Sequence, residues 1–562
     1  MKIIKYLSLI FILFFLAMVS CQEDPLEEKI VSEVTAEYYE NQEGLESAVN
    51  AAYEPLRNYY GAQQGMYMTI MGTDEFTHGG HGGYHYMDKY TLGLNSEGAP
   101  FWNCWSNLYQ AINTCNTVIS RGEGVEMSQE KRNSLLSEVH FLRAHYYFLL
   151  VRFFGPVHLT LEETVGVETE AGRTPENEIY DAIVSDLEFA IDNLPASADQ
   201  FGRATEPAAK HLLALVLLTR GYKDYAQSDD FQEAASLASS VINDYDHSLL
   251  ETTKKVFDHD NEQNAEVLWS VQYSQDPLLN GPGNRSHVMF RPWYEVFNTG
   301  LDRSLEPGYG RPWIRFRPTQ WLLDNFRPLD VDARYTQMFQ DVWYFNTETG
   351  LPEGAEIGDT AIWVTSEKLT EQKVEIIRER NPGINLFTWH QDHYYDINDE
   401  DPVTFEDSLY YPINMFPSNT KTDDFKRPSV NYMAGSRDVI VYRLAETYLI
   451  AAEAYYQDGN ISDAVDMINV VRRRAAFNGM EAQMEITSAE LDLDFILDER
   501  SRELYGEQKR WLDLKRTGKL LERVRQYNDE GAPNIEEYHL LRPIPAQQRE
   551  RTSGGYPQNP GY

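Results

Sequence analysis

Apolar and aromatic residues recur with a helical period over two long parts of the chain. In the first part, the three-and-four spacing of a helix covers 37–60, 102–119, 132–154, 179–194 and 207–225. In the last part, the same spacing covers 439–456, 461–475, 489–505 and 511–527. Between about 256 and 433 the period is lost, because Pro, Gly and Asn become frequent and the apolar runs shorten. The pattern predicts two helical parts on either side of a loop-rich middle.

One predicted helix pair in the last part has the spacing of a tetratricopeptide hairpin. Small and aromatic residues occupy the matching positions, and Asp458-Gly459-Asn460 supplies the turn. These positions are Ala452, Tyr455, Ala464, Ile468 and Val471. We therefore predict a mainly α fold, a tetratricopeptide-like helical-hairpin platform with an inserted loop-rich, mixed subdomain. The platform comprises 36–245 and 438–562, the insert comprises 246–437, and the alternative is two unrelated helical domains.

The N-terminus has the pattern of a secretory signal. Lys2 and Lys5 precede an unbroken apolar run over 9–19, which is too short to span a bilayer comfortably. Cys21 follows Met18-Val19-Ser20 in a loose version of the lipoprotein cleavage box. We predict that 1–20 is a signal peptide, that Cys21 is lipidated and that 21–35 is a flexible tether. The alternative is an ordinary signal peptide with a chance cysteine.

The net charge narrows the possible partners, and the cysteine spacing argues against a disulfide. Lys plus Arg is 49 and Asp plus Glu is 88, so the net charge is −39. A field of this sign repels nucleic acid and anionic membrane surfaces. Cys104 and Cys115 are eleven residues apart in one helical segment, a rise of about 16 Å that exceeds the reach of a disulfide. We predict two buried thiols.

Several sequence blocks occur in an order that resembles the SusD/RagB family of starch-utilisation lipoproteins. The blocks are WSNLY at 105–109, FLRAHYYF at 141–148, VRFFGPV at 151–157, GRAT at 202–205, VYRLAE at 441–446, INVVRRRA at 468–475, ER at 499–500, RWLDLKR at 510–516, LRPIP at 541–545 and QNPGY at 558–562. In the fifth block, Leu444 stands where the family has an aromatic residue. The resemblance covers nearly all of the chain that remains after removal of the signal peptide.

This resemblance implies a function as well as a fold. It implies a non-catalytic, glycan-binding lipoprotein of the cell surface that binds oligosaccharides or polysaccharides. It also implies a partner, a TonB-dependent outer-membrane transporter of the SusC type. The acidic residues that follow Cys21, at 22–24, resemble the export tag of surface lipoproteins in some Gram-negative bacteria. We expect an outer-membrane location, facing the extracellular side.

Most charged residues of these blocks are predicted to be structural. Arg443, Glu446, Glu499, Arg500 and Glu503 stand among apolar neighbours at helical spacing. A planar guanidinium can hold a carboxylate with two bonds, so partly buried pairs of this kind would set the register between helices. We expect these carboxylates to hold the fold together and not to catalyse a reaction.

Aromatic residues on irregular loops are the candidate ligand contacts. Sugars present flat apolar faces edged by hydroxyl groups, and loops carry function on a rigid scaffold. Two regions qualify, the glycine-rich loop 73–90, which leads to the start of the next helix, and the segment 289–313. The predicted ligand-binding residues are Asp74, Tyr84, Tyr86, Trp102, Asn103, Trp293, Tyr294, Tyr309 and Trp313. The alternative for each ring is that it packs a local core.

No cofactor is expected. His78, His81 and His85 form a histidine-rich tract, but no acidic or cysteine anchor completes a metal motif. Residues 396–401 offer part of a calcium-loop spacing without its turn glycine or bidentate Glu, which favours a solvated acidic loop. Phosphate-loop and hydrolase motifs are absent from the sequence. A surface glycoside hydrolase and a peptide- or protein-binding helical-repeat lipoprotein remain the alternative functions.

Overall fold

The computed structural model of the protein describes residues 41–367, 369–389 and 413–562. The predicted signal peptide, the tether with Cys21 and the acidic loop 396–401 lie outside the described residues. Helices are numbered in chain order as α1 Gln42–Tyr53, α2 Gln63–Thr69, α3 His85–Lys89, α4 Ala99–Gly122, α5 Gln129–Phe154, α6 Glu176–Asn193, α7 Glu206–Arg220, α8 Asp230–Asn243, α9 Thr253–Val256, α10 Ser286–Met289, α11 Tyr294–Phe297, α12 Gln320–Asp324, α13 Arg334–Met338, α14 Glu371–Arg380, α15 Leu444–Gln457, α16 Ile461–Ala475, α17 Glu481–Met484, α18 Leu493–Leu504, α19 Arg510–Arg516, α20 Leu520–Tyr527 and α21 Ala546–Arg551.

The strands are short and form small sheets. They are β1 Phe76–His78, β2 Val267–Val271, β3 Phe316–Pro318, β4 Phe339–Gln340, β5 Val342–Tyr344, β6 Thr360–Thr365, β7 Asn385–Thr388, β8 Ser418–Asn419 and β9 Val439–Arg443. The pairs β1–β3, β2–β9 and β4–β8 are antiparallel. A three-stranded sheet has the order β5–β6–β7, with β6 and β7 parallel. The structure is mainly helical, as predicted.

The two helical parts of the sequence pack into one body. Helices α4 to α8 pack successively against their neighbours, α15 then packs against α8, and α16 packs against α15. Residues of both parts share one hydrophobic core, which includes Leu45, Phe148 and Val524. The C-terminal helices thus continue the N-terminal array, which confirms the helical platform and is incompatible with two unrelated helical domains. No helix within 41–367, 369–389 or 413–562 is both long and apolar enough to cross a membrane.

Helix α5 lies at the centre of this body, and local sequence sets its ends. The Ser128 side chain accepts a hydrogen bond from the Lys131 N–H at 3.3 Å and caps the first turn. Gly155 ends the helix with φ 73°, a left-handed conformation that favours glycine. Between these ends nearly every residue from Leu135 onward is buried, because other elements of the protein surround the helix.

The tetratricopeptide-like hairpin is formed by α15 and α16. Gly459 lies in the turn between the two helices with φ 84°. Ala452, Ala464 and Ile468 are fully buried, as the spacing predicted. Cys104 and Cys115 are buried free thiols, as expected from their separation.

Two helical predictions are wrong in detail. The period over 439–456 predicts one helix, but residues Val439–Arg443 form β9 and pair with β2. This stretch is rich in β-branched and aromatic residues, and a partner strand lies beside it. The period over 511–527 contains two helices, α19 and α20, because Gly518 interrupts the backbone with φ 72°.

A buried network of ion pairs joins the insert to the platform. Arg443 bonds Glu503 at 2.6 Å and Glu266 at 2.9 Å, and all three side chains are fully buried. Arg334, on α13 of the insert, bonds Glu499 of α18 at 2.8 Å. Burial alone would raise the pKa of Glu503, but the surrounding cations outweigh it and hold this pKa well below its usual value. The structural role predicted for these pairs is confirmed.

Candidate functional site

The β1–β3 ladder brings the two predicted loop regions together. Phe76 pairs with Pro318 and His78 with Phe316. Just beyond the ladder, the Gly79 N–H donates to the Arg315 carbonyl oxygen at 3.2 Å. The glycine-rich loop therefore lies against the segment that carries Trp313, although about 230 residues separate them in the sequence.

Two half-buried tyrosine rings, backed by the buried ring of Tyr67, form the first wall of this site. The Tyr84 ring packs edge-on against Tyr67 at 5.2 Å and against Tyr86 at 5.9 Å between ring centroids. Tyr84 and Tyr86 are half-buried. Tyr84 adopts φ 69°, a left-handed conformation that is unfavourable for a residue with a side chain. Such strain is concentrated at ligand-binding loops, because the surrounding structure has to hold it in place.

Arg315 lies between this loop and Trp313, and it was missed by the sequence reasoning. Its guanidinium lies 5.2 Å from the centroid of the Trp313 ring. Its Nε and Nη1 atoms are buried and have no hydrogen-bond partner in the described part of the chain. A Cβ atom on Gly82 would lie 1.2 Å from Nη1, and the φ of 116° at this position favours glycine, so the loop closes tightly over this guanidinium. A buried unpaired donor is costly, so the enclosed guanidinium is an energetically unfavourable feature at the junction of the loop and the Trp313 segment.

The second predicted ring group lies on the neighbouring segment of the insert. The Ile314 N–H donates to the Arg291 carbonyl oxygen at 3.2 Å, so the segment that leads to Trp293 lies beside the segment of Trp313. The Trp293 ring is 37% exposed, and its Nε1 donates to Glu295 at 3.2 Å. The Tyr309 hydroxyl donates to the Tyr344 carbonyl oxygen at 3.0 Å. Trp293 and the half-buried Tyr309 are accessible to a ligand.

Tyr344 lies outside the two predicted loop regions, the second of which ends at residue 313. Its ring is 48% exposed and it lies at the end of β5. Its backbone N–H donates to the Tyr309 hydroxyl at 2.9 Å, which holds the two residues side by side. The alternation of Val342, Trp343 and Tyr344 along a strand, with Trp343 fully buried, is the signal that would have found it.

Tyr294 does not belong to the accessible group. It is fully buried, its ring stacks on Trp343 at 6.3 Å, and its hydroxyl donates to the Tyr309 carbonyl oxygen at 2.6 Å. The prediction that it contacts ligand is corrected, because helix α11 directs this ring into the core of the insert. The Tyr294 ring packs edge-on against the Tyr309 ring, with 6.0 Å between the ring centroids.

Asp74 is likewise a structural residue. Its carboxylate is fully buried and accepts from Arg510 at 2.6 and 2.7 Å and from Arg523 at 2.6 Å. Burial would raise the pKa of Asp74, but the two guanidinium groups outweigh burial and lower it. The prediction that Asp74 contacts ligand is corrected, because both of its oxygens are already occupied within the core.

Trp102 and Asn103 lie on α4, in the first turns of the helix, and both are half-buried. The Trp102 ring lies 5.0 Å from the guanidinium of Arg551 on α21. In the described residues, no ring contact joins Trp102 to Tyr84 or Tyr86. The structure therefore places these two residues next to the C-terminal segment and does not bring them to the loop rings.

The histidines of the loop adopt an arrangement of their own. The His78 and His85 rings are 3.7 Å apart, and His81 is exposed. Burial, followed by the nearby His85, lowers the pKa of His78 to about 3, so this ring is neutral at pH 7. Among the residues that the structure describes, no group of three or more His, Cys, Asp or Glu side chains could hold a metal ion.

The fold and the site together define a class of protein. It is a helical-hairpin platform whose inserted, loop-rich subdomain presents aromatic rings beside the short β1–β3 ladder. A family model described as "SusD family" matches residues 265–562, and one described as "Starch-binding associating with outer membrane" matches residues 24–218. The chain belongs to the SusD family.

Individual relatives match over most of their length. The chain is 27% identical to SusD-like protein P2 of Formosa agariphila over 584 residues, which covers 99% of this chain and 100% of that protein. It is 24% identical to starch-binding protein SusD of Bacteroides thetaiotaomicron over 473 residues, covering 80% and 76%. A solved structure titled "Laminarin binding SusD-like protein" has a TM-score of 0.68 at 23% identity, covering 93% of this chain and 100% of that one. A SusD homolog from Bacteroides thetaiotaomicron has a TM-score of 0.71 at 20% identity, covering 94% and 98%. At these identities, the structural matches establish the fold.

Proposed function

We propose that this protein is a non-catalytic glycan-binding lipoprotein of the outer membrane, which delivers oligosaccharides or polysaccharides to a SusC-like TonB-dependent transporter. The observation that carries the proposal is that the β1–β3 ladder sets the loop of Tyr84 and Tyr86 against the segment of Trp313. Arg315 lies between Gly82 of that loop and the Trp313 ring. Rings offer flat apolar surface to the C–H faces of a sugar, and a guanidinium donates to its hydroxyl and ring oxygens.

Similarity to proteins named for glycan binding supports this proposal. One related protein is named for starch and one structurally similar protein for laminarin. The match to a family model described as associating with the outer membrane supports the location. Delivery to a transporter, the lipid on Cys21 and the outward orientation rest on the family resemblance and on the signal sequence.

Carboxylate burial at the glycine-rich loop favours binding without cleavage, and at the second ring group the Glu295 carboxylate is already paired with Arg303. A glycoside hydrolase needs two carboxyl groups about 5–10 Å apart beside the sugar. The acidic residues of the glycine-rich loop region, Asp74, Glu75 and Asp88, are buried. Asp88 accepts hydrogen bonds from the His78 N–H and the Thr77 hydroxyl, both at 2.9 Å. These side chains are engaged in the core, so we expect no shortened products when the protein is incubated with the glycan it binds.

Affinity gels with a panel of neutral polysaccharides, followed by calorimetry, test the binding. Trp313→Ala and Tyr84→Ala each remove one ring and are expected to weaken binding by about ten-fold or more. Tyr456→Ala is the matched control, since this half-buried tyrosine lies on α15 of the platform. Circular dichroism checks that each variant folds. Equal affinity in all three variants and the parent would show that these rings are not the site.

Two further measurements separate the alternatives. Chromatography of the incubated glycan detects the shorter products that a hydrolase would release. Calorimetry with peptides in place of sugars tests the peptide-binding alternative. For the transporter, the tagged protein is recovered from detergent-solubilised outer membranes of its own organism. We expect a TonB-dependent barrel to co-purify, and its consistent absence would contradict delivery.

A further inference from the structure

We propose that the junction through which the insert leaves and rejoins the platform is pH-dependent, and that it loosens as the carboxyl groups of Glu262 and Asp438 ionise. We call this junction the neck and define it as residues 257–273 and 423–439. It contains the end of the ladder between β2 and β9, where Val271 pairs with Val439. The inference concerns the attachment of the insert and does not depend on which ligand the protein binds.

Two side-chain hydrogen bonds continue this ladder beyond its last backbone pair. Oε1 of Glu262 accepts from the Asp438 N–H at 3.1 Å, and Oδ1 of Asp438 accepts from the Tyr273 N–H at 2.8 Å. Glu262 precedes β2 and Asp438 precedes β9, so each carboxyl group bonds the backbone of the opposite segment. The closed neck therefore depends on two groups that titrate.

The surroundings of these two groups disfavour charge. Glu262 and Asp438 are half-buried and line the same cavity, which has a volume of about 50 Å³. The lining also includes the apolar side chains of Val256, Phe257 and Ile440. A carboxylate in such a place has lost much of its hydration, so ionisation costs free energy unless a cation compensates for it.

Arg437 is the cation nearest to Glu262, and other acceptors share it. Its Nε lies 3.6 Å from Oε1 of Glu262. The same guanidinium donates to the carbonyl oxygen of Asp423 at 2.7 Å and to that of Phe257. Arg437 therefore compensates only part of the charge that Glu262 gains on ionisation.

The other cations around the cavity have partners of their own. Arg57 donates to the Gln272 carbonyl oxygen at 2.8 Å, and Lys421 pairs with Glu507 at 2.9 Å. Within the neck, carboxyl groups outnumber the cations, which are Lys426, Arg427 and Arg437. A second negative charge beside Asp438 is therefore poorly balanced.

The titration of both groups is displaced accordingly. Burial, and after it the charge of Asp438, raises the pKa of Glu262 to about 7, with Arg437 acting against the rise and Asp424 adding to it. Burial raises the pKa of Asp438 to about 6, with Arg57 and Arg437 acting against it. Both folded values lie above the unfolded values of about 4. The stability that these groups contribute is therefore fully present below about pH 4 and is lost as the pH rises to about 7.

His259 acts in the opposite direction. Burial lowers the pKa of this ring to about 4, although the Asp424 carboxylate lies 4.0 Å away. Lys426 donates to the His259 carbonyl oxygen at 2.8 Å and pairs with Asp260 at 2.7 Å. The closed neck prefers the neutral ring, so this contribution is lost as the pH falls from about 6.5 to about 4. Variants are needed to separate the two effects.

The experiment is hydrogen–deuterium exchange with mass spectrometry on the full mature protein from pH 5 to pH 8, corrected for the intrinsic pH dependence of exchange. Peptides that cover β2 and β9 report on the neck, and peptides that cover α5 report on the platform. In the parent, we expect protection in the neck peptides to fall by about ten-fold between pH 5 and pH 8, with α5 unchanged. Such a fall corresponds to a net shift of about one pKa unit between the closed and the open neck.

Three variants assign this fall to the facing pair. Glu262→Gln keeps an acceptor for the Asp438 N–H and cannot ionise, so it should keep high protection up to pH 8. Asp438→Asn removes the charge that raises the pKa of Glu262, so the midpoint of the fall should move to lower pH. Glu353→Gln, at an exposed position of the insert, is the matched control and should follow the parent. Circular dichroism checks the fold of each variant at each pH.

Each outcome either supports the inference or overturns it. A fall in Glu262→Gln as large as in the parent would overturn it, and so would low protection of this variant at every pH. An unchanged midpoint in Asp438→Asn would show that the two carboxyl groups do not act as a pair. An equal fall in the α5 peptides would replace a local junction with a global loss of stability. None of these results bears on glycan binding, so the proposed function is tested separately.

Discussion

Asp74 offers the sharpest test of how buried ion pairs support the fold. Its buried carboxylate binds Arg510 and Arg523, and these two arginines pack against the ring of Trp321. Asp74→Asn keeps the shape of the side chain and removes its charge. The substitution leaves two buried guanidinium groups without their common counter-charge, so we expect a loss of stability.

The expected loss in the free energy of unfolding depends on the hydrogen bonds that Arg510 and Arg523 keep in the variant. Breaking a buried ion pair by removing one partner costs about 3–5 kcal/mol. Arg523 keeps contacts with Asp494 and Asp498, and Arg510 keeps the Leu497 carbonyl oxygen. We therefore expect the free energy of unfolding to fall by about 3 kcal/mol, the lower end of that range. For 562 residues the unfolding entropy is about 1.2 kcal/mol/K, so the melting midpoint falls by about 2–3 °C.

The assay is thermal unfolding followed by calorimetry and tryptophan fluorescence. Asp529→Asn is the matched control, because Asp529 is an exposed carboxylate. We expect the control to lie within about 0.5 kcal/mol of the parent. A shift in Asp74→Asn no larger than in the control would refute the assignment of a structural role to this carboxylate.

The pH dependence supplies a second criterion. The folded pKa of Asp74 is lowered, so its contribution is fully present above the unfolded value of about 3.9 and is lost as the pH falls through the folded pKa. The stability difference between parent and Asp74→Asn should therefore be constant above about pH 5 and shrink below about pH 4. A difference that persists unchanged in acid would show that the charge is not its origin.

Three further predictions concern the loop, a buried acid and the anchor. Gly82→Ala places a Cβ 1.2 Å from Arg315 Nη1 at φ 116°, so we expect about ten-fold weaker glycan binding by calorimetry. The control is Gly83→Ala, whose Cβ meets nothing within 4 Å, and it should bind like the parent. Equal binding by both variants would contradict the role of loop closure. Burial raises the pKa of Glu75 to about 8, so its contribution is present below its unfolded pKa and is lost as the pH rises towards and through 8. Glu75→Gln should therefore flatten the fall in melting midpoint between pH 6 and 9, and an unchanged slope would count against this. Cys21→Ala should release the protein from the membrane fraction in a fractionation assay, because the lipid anchor is lost, and retention would refute lipidation.

The sequence predicted most of the platform, because helical period is a local property. The segments 132–154 and 461–475 correspond closely to α5 and α16. The helix predicted over Val439–Arg443 is wrong because a contact with a distant strand decides the structure there. Those residues are apolar over a short run that both a helix and a buried strand can produce, and the partner strand β2 lies about 170 residues earlier.

For the candidate site, sequence determined the kinds of residue and the loops that carry them, and tertiary structure decided which of them meet. Tyr84, Tyr86 and Trp313 were identified from their place on irregular segments, but nothing local distinguishes them from Tyr294, which is buried, or from Trp102, which faces α21. The choice depends on the β1–β3 ladder, in which His78 pairs with Phe316. This pairing places Arg315 beneath Gly82. A contact between residues so far apart in the chain arises from the packing of the whole fold, so no spacing pattern in the sequence records it.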